Sequence, residues 1–351
     1  MDAAATDAQH VRSSRALLAL LVGGLIVVAA AAPSSGSASG VPAAAACTKV
    51  GNVEAIIDDS GSMGGTDPNR LRVQAMDLLI NALDAKTTLG AIEFGSSFDP
   101  ATPSADVVFP AEPVGPNAAS MKAALDTKIQ ADAGGTDYNA AFDTARAANP
   151  GAQARIFLTD GGHNSGAYND AHLNPAPQPQ TPTYVVGFSP GVSQPEDQAR
   201  LAKIAGDTGG RYFPLPDSSA LQAVMNEIET TLTCQSAPKT FSDALAQGKT
   251  KSHSVTIARS SRSAQLALSW TSSLDRFKIS GLRIVRHGKV VARAARTHKL
   301  RVKVRTGSTF AIVKVSRLIR GKLRFNVKAT RIGSGQPKVT LTTQVSQSRH
   351  R

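Results

Sequence analysis

The stretch Ile56-Ile57-Asp58-Asp59-Ser60-Gly61-Ser62-Met63 decides how the rest of this chain is read. A short apolar run stops at a carboxylate, and hydroxyls follow at every second position, giving Asp58-x-Ser60-x-Ser62. Alternation by two places the three side chains on one side of an extended or looping backbone. All three offer oxygen, and none offers sulfur or imidazole. That donor set suits a hard cation (Mg²⁺, Mn²⁺ or Ca²⁺) rather than zinc or copper. One carboxylate does not fill an octahedral shell, so the reading requires more oxygen ligands from elsewhere in the chain.

Working outward, residues 50–58 read as a strand, with Val53, Ala55, Ile56 and Ile57 bounded by turn residues. Leu71, Ala75, Leu78, Leu79 and Leu83 recur at spacings of three and four, which predicts a helix over 70–83. Further strands are expected over 88–95, 107–109, 155–159 and 183–188. Further helices are expected from an N-cap at Ser120 to Ile129, and over 139–148, 194–206 and 218–232. Residues 161–182 read as a long polar loop. Apolar strands alternating with amphipathic helices give an α/β fold, a doubly wound and mostly parallel sheet covered on both faces. Ligands of such sheets bind outside the carboxyl ends of the strands. Asp58 and Asp160 both fall there. The loop Gly134-Gly135-Thr136-Asp137 opens a helix and offers the Thr136 hydroxyl, so Asp58, Ser60, Ser62, Thr136 and Asp160 arise from three loops on one sheet edge.

The order of motifs resembles the von Willebrand factor type A domain. It runs Asp58-x-Ser60-Gly61-Ser62-Met63, Ala91-Ile92-Glu93-Phe94-Gly95, Gly134-Gly135-Thr136, Phe157-Leu158-Thr159-Asp160-Gly161, Tyr184-Val185-Val186-Gly187 and Ala205 to Phe213. A single DxSxS string is weak, but the whole series over residues 48–235 is specific. The resemblance implies a metal-ion-dependent adhesion site at Asp58, Ser60, Ser62, Thr136 and Asp160. It implies direct coordination by Ser60, Ser62 and, in some states, Thr136, with Asp58 and Asp160 acting through water. It also implies an open coordination position that a partner's Asp or Glu carboxylate completes. Asp59, Asp67 and Asp137 are read as solvated acids near the site. His163, His172, Asn164 and Asp170 are read as a polar solvated loop rather than a second metal site.

Length and charge divide the chain further. At 351 residues the prior is about two domains. Residues 1–235 carry a net charge of −11 and residues 236–351 carry +24, within +13 overall. The expected division is a signal peptide and small-residue linker over 1–46, an α/β domain over 47–235 and a basic domain over 236–351. Arg12 and Arg15 precede an uncharged run from Ala16 to Ala32 and then small residues, the layout of a secretion signal cleaved between Ala30 and Ala46. An uncleaved membrane anchor is the alternative for that run. The expected location is therefore secreted or in the cell envelope. Cys47 and Cys234 flank the α/β segment, and an even count in an exported chain predicts a disulfide between them. Lipid modification of Cys47 is disfavoured because the residue lies too far beyond the apolar run.

In residues 236–351 the helical period gives way to alternating runs over 252–258, 264–270, 277–283, 284–291, 300–305, 310–315, 323–328 and 339–345. These predict a smaller all-β sandwich following the α/β part. The segment weakly resembles C-terminal β-sandwich modules of bacterial exported proteins, through Asp243 to Gly248 and Leu268-Ser269-Trp270. Lys and Arg alternate with apolar residues, as in Leu300 to Arg305, so part of the charge is a solvated sheet face. An excess this one-sided also attracts anions. The expected partner is an anionic cell-envelope polymer, with docking onto the chain's own acidic half as a weaker use of the charge. Trp270, Phe277, Phe310 and Phe325 are spaced as core residues, which argues against base stacking and hence against nucleic acid. No Walker-type loop and no Ser-His-Asp spacing is present, so a nucleotide motor is unsupported and a metal-dependent hydrolase is a minor alternative. The leading expectation is a non-enzymatic adhesion module. An envelope scaffold with an incidental metal site is its rival.

Overall fold

Both faces of the first strand are apolar, so both must be covered. Val53, Ala55 and Ile57 bury on one side and Ile56 on the other. A computed structural model describes residues 47–95, 104–130, 134–175, 180–188, 194–215, 217–293 and 300–348. The expected signal segment, residues 1–46, lies outside the described residues. No helix among the described residues is long and apolar enough to cross a membrane.

In chain order the α/β part runs β1 (Asn52–Asp58), α1 (Met63–Thr66), α2 (Leu71–Ala82), β2 (Thr88–Phe94), β3 (Ala105–Pro113), α3 (Val114–Lys128), α4 (Tyr138–Ala148), β4 (Ala154–Thr159), α5 (Asp170–Leu173), β5 (Thr183–Phe188), α6 (Pro195–Asp207), β6 (Arg211–Leu215) and α7 (Leu221–Leu232). The strands form one six-stranded sheet in the order β3-β2-β1-β4-β5-β6. Only β3 is antiparallel to its neighbour. One face packs on α2, α3 and α7 through residues such as Met76, Leu79, Leu125 and Met225. The other packs on α4 and α6 through Phe142, Leu201 and Ile204. This is the doubly wound Rossmann-like arrangement expected from the alternating pattern. Cys47, before β1, is disulfide-bonded to Cys234, after α7, as expected.

The chain continues as β7 (Lys239–Leu245), β8 (Thr250–Ile257), β9 (Ser263–Ser269), β10 (Arg276–Arg286), β11 (Lys289–Arg293), β12 (Arg301–Thr306), β13 (Phe310–Ser316), β14 (Gly321–Arg331) and β15 (Val339–Gln347). They form two antiparallel sheets, β11-β10-β14-β8 and β12-β13-β9-β15-β7. Leu266, Leu268 and Val345 of the larger sheet share one apolar cluster with Phe277, Leu323 and Phe325 of the smaller, which makes the pair a sandwich. Trp270, Phe277, Phe310 and Phe325 are all buried, as their spacing implies.

The five-stranded sheet lies against α2 and α7. Leu78 and Ala82 of α2 meet Phe310 and Ile312 of β13 in a small apolar cluster. Around it the contacts are polar and buried. Asn226 Nδ2 donates to Gln344 (3.0 Å), and Gln265 Nε2 donates to Asn226 Oδ1 (3.1 Å) and Glu229 Oε2 (2.8 Å). Gln222 donates to Thr309, and Arg305 Nη1 donates to the Asn81 carbonyl (2.6 Å). Burial pushes the Glu229 carboxyl up to about 7, against the pull of the Lys314 ammonium and the Gln265 amide.

Several boundaries differ from the sequence reading, each for a local reason. α3 begins at Val114, not after Ser120. Pro116 sits in the first turn, where a missing N–H costs nothing, and the Ser120 hydroxyl turns back to the Asn117 carbonyl inside the helix. The start is fixed from outside by Val114 N donating to Thr87 O and Gly115 N to Ala85 O. Residues 209–213, which the sequence offers only as the break between two helices, lead into β6, a strand that contains Pro214. It is the sheet's last strand, where proline is tolerated. β7 was not expected at all. Residues 277–291 form a hairpin of β10 and β11, with β10 running unbroken past an irregular register near Gly281 (φ 64°).

The sheet–helix seam yields a test. Asn226→Ala removes the buried partner of Gln344 and one of the two acceptors of Gln265 Nε2, and is expected to cost about 1–3 kcal/mol in urea unfolding. Thr231→Ala, on the exposed side of the same helix, is expected to change little. Equal effects would contradict a seam held by these amides.

Candidate metal centre

β1 and β4 are parallel neighbours with Ile57 opposite Leu158, so their carboxyl ends deliver Asp58 and Asp160 to the same edge of the sheet. Strand order reverses there, the place where a doubly wound sheet leaves a crevice. The Ser60 turn is pressed against the end of β2. Asp59 N donates to Phe94 O (2.8 Å), and a Cβ on Gly95 (φ 108°) would lie 2.5 Å from Ser60 N, so only glycine fits. The third loop joins through Gly61 N donating to Gly134 O (3.2 Å). It is clamped in turn by Asn164, whose side chain accepts from Thr136 N (2.8 Å) and whose own N–H donates to Thr136 O (3.0 Å).

All five residues expected from the sequence meet in one cluster. Ser60 Oγ donates to Asp58 Oδ1 (2.6 Å) and stands 3.1 Å from Ser62 Oγ. Ser62 Oγ donates to Asp160 Oδ1 (2.8 Å), and Thr136 Oγ1 lies 3.4 Å from Ser60 Oγ. Asp58 and Asp160 are fully buried, and neither has a salt-bridge partner among the described residues. Desolvation, reinforced by Asp160, pushes Asp58 up to about 6; desolvation also raises Asp160, although Thr66 and Ser62 donate to it.

A divalent ion fits this donor set. Octahedral coordination at the Mg²⁺–oxygen distance puts neighbouring ligands about 3 Å apart. The Ser60–Ser62, Ser62–Asp160 and Thr136–Ser60 oxygen separations bracket that spacing. Two buried carboxylates supply the negative charge, and only Asp160 is eased by a nearby cation, Arg72. Among the described residues no three His, Cys, Asp or Glu side chains are grouped so that they could hold a metal ion, and this cluster is built of three hydroxyls and two acids.

Several participants were not legible beforehand. Thr159 Oγ1 donates to Asp58 Oδ2 (2.6 Å), and Thr66 Oγ1 donates to Asp160 Oδ2. Arg72, fully buried on α2, pairs with Asp59 (2.5 Å) and Asp67 (3.2 Å). The reading of Asp59 and Asp67 as solvated acids is therefore corrected. Asp59 also accepts from Gln130 N (2.8 Å), and Asp67 accepts from the Leu71 and Arg72 amides at the start of α2. Asp137 is no loose acid either; it caps α4 by accepting from Ala140 N (3.1 Å). The loop after Asp160 is likewise more than solvated. His163 Nδ1 accepts from Tyr138 N (3.1 Å), burial lowers its pKa, and its ring packs near Tyr138 and Tyr168. His172 meets Asp143 at 2.7 Å.

The fold and the cluster define a doubly wound α/β domain with hydroxyls and carboxylates gathered at its switch point. The von Willebrand factor type A domain profile matches residues 52–227, half of the chain, and the chain belongs to that family. Among curated proteins there is no match. Among solved structures, a von Willebrand factor type A protein from Catenulispora acidiphila is similar at 16% identity over 86% of this chain and 63% of that one (TM-score 0.40). Proximal thread matrix protein 1 from the mussel byssus, with zinc in its MIDAS motif, is similar at 13% identity over 57% of this chain and 50% of that one (TM-score 0.42). Manganese-loaded TRAP protein of Plasmodium vivax is similar at 18% identity over 60% and 89% (TM-score 0.39). The chain thus spans less than two thirds of the first two relatives' length.

Two outcomes are expected. Arg72→Ala strands two buried carboxylates and should cost about 3–5 kcal/mol in urea unfolding; a loss too small to resolve would contradict the buried pairing. The second concerns pH. A folded pKa of about 6, above the ordinary 3.8, means the native state holds the Asp58 proton longer than the unfolded chain. Metal-free stability then falls as pH rises from the ordinary value to the raised one. The rise in Tm on adding Mg²⁺ should therefore be larger at about pH 7.5 than at about pH 5. A shift independent of pH would contradict binding at these carboxylates.

Proposed function

We propose that the protein is an exported, non-enzymatic adhesion module that grips an acidic side chain of a protein partner through a divalent ion. Ser60, Ser62 and Thr136 present hydroxyl oxygens to the ion, and Asp58 and Asp160 orient those hydroxyls and supply charge from behind. A cation held there supplies an electrophilic centre at which a partner's Asp or Glu carboxylate completes the coordination. Thr159 and Thr66 hold the two carboxylates, and Arg72 fixes the Ser60 turn to α2 through Asp59. Mg²⁺ is the ion favoured, with Mn²⁺ and Ca²⁺ as chemically acceptable substitutes. Residues 47–235 form the ion-binding domain. Residues 236–351 form the basic domain, which associates with anionic polymer at the cell surface. The hydrophobic N-terminal stretch is the export signal.

One observation supports this reading, the convergence from three loops of three hydroxyls and two buried carboxylates, neither carboxylate having a salt-bridge partner among the described residues. Hydroxyl ligands leave the ion more electrophilic than a cage of carboxylates does, and that suits capture of an external acid. The test is calorimetric titration of Mg²⁺ and Mn²⁺ into the intact chain. One saturable site is expected, weakened at least about tenfold by Ser60→Ala and abolished by Asp160→Ala. Saturable binding that survives Asp160→Ala unchanged would overturn it.

A further inference from the structure

On the smaller sheet, β14 alternates Leu323, Phe325 and Val327 into the sandwich core with Lys322, Arg324, Asn326 and Lys328 on the other face. The registers align these outward residues with their neighbours. Lys278 of β10 stands opposite Lys328, and Arg283 stands opposite both Arg324 and Arg293 of β11. Like charges directly opposite each other across strands are destabilising. Among the described residues no carboxylate forms a salt bridge with them, although Arg283 Nη1 donates to the Gly281 carbonyl (2.9 Å). Asp243 and Asp275 are the only acids of residues 236–351, and both are buried. Asp243 meets His253 (2.6 Å), and Asp275 accepts from the Gly333 and Ser334 amides.

The flanking strand adds a second chemistry. β8 presents Thr250, Ser252, Ser254 and Thr256 on the same face, opposite Lys328, Asn326, Arg324 and Lys322 in turn. At one end the face runs into a cleft of about 620 Å³ lined by Arg286, His287, Arg320, Lys322 and Arg324. The other sheet of the sandwich is the one that contacts α2 and α7, so this face points away from them.

We infer that the outer face of β11-β10-β14-β8 is the docking surface for a linear acidic polysaccharide, an inference that rests on the anionic-polymer reading above. The cations lie on a lattice of roughly 5 Å across strands and 7 Å along them, which matches a chain of repeated anions. The row of hydroxyls and the Asn326 amide serve the uncharged hydroxyls of sugar rings. Trp270, Phe277 and Phe325 are buried in the sandwich core and Phe310 is buried against α2, so they give stacked bases no platform on this face. Charge complementarity thus selects an anion, and the hydroxyl row selects a sugar polymer over a nucleic acid or a lipid surface.

The test uses the intact chain with heparin and polygalacturonate oligosaccharides at about 50 mM salt. The face variant is Lys278→Gln with Arg324→Gln and Lys328→Gln. The control removes equal charge elsewhere, as Arg259→Gln with Arg301→Gln and Lys303→Gln. Affinity is expected to fall about tenfold in the face variant and less than about twofold in the control, with a shallower salt dependence for the face variant alone. Because opposed cations are removed, the Tm of the face variant should hold or rise. Binding should persist in a chelator. Equal losses in both variants would overturn this face while leaving general anion binding intact. No binding of either saccharide would overturn both. Tighter binding to duplex DNA or to phosphatidylglycerol vesicles than to the oligosaccharides would overturn the choice of polysaccharide.

Discussion

Two carboxylates, Asp58 and Asp160, are buried side by side at the ends of adjacent parallel strands, and neither has a salt-bridge partner among the described residues. That constraint shapes the upper edge of the α/β domain. Left to themselves such groups resist ionising, and both are shifted upward. Four hydroxyls, from Ser60, Ser62, Thr66 and Thr159, donate to them and hold their oxygens in place. The cluster is short of positive charge by design of its sequence, and a divalent ion is the simplest group that supplies it.

The loops around that pair are held from a distance. Arg72 sits on α2, a turn from the site, and reaches back to Asp59 and Asp67. The far end of the same helix meets the β-sandwich, where Arg305 and Lys314 donate to the Asn81 and Ala82 carbonyls. One helix therefore touches both the Ser60 loop, through Asp59, and the larger antiparallel sheet. The seam is amide-rich, built of Gln222, Asn226, Gln265 and Gln344, and it lays the larger antiparallel sheet against α2 and α7. The Lys- and Arg-bearing outer face of the smaller sheet is on the other side of the sandwich.

What could be read from the sequence was whatever local chemistry encodes. The Asp58-x-Ser60-x-Ser62 string, the glycines before Thr136 and the apolar run ending at Asp160 carry the clustered oxygens in plain view. Alternation of apolar and polar residues announced the sandwich, and the two cysteines announced their bond. What stayed hidden was long-range. Arg72 looks like one more polar position in a helix until the fold brings Asp59 and Asp67 around it. The early start of α3 depends on carbonyls of residues 85 and 87, and β6 carries a proline that only a sheet edge tolerates. The opposed cations of β10 and β14 required a strand register, which composition does not contain.

The most direct test of the metal centre is a crystal structure of the intact chain grown with Mn²⁺, read by its anomalous signal. A single strong peak is expected among Ser60 Oγ, Ser62 Oγ and Thr136 Oγ1, with Asp58 and Asp160 behind it. A peak anywhere else, or none at that position under saturating Mn²⁺, would contradict the assignment.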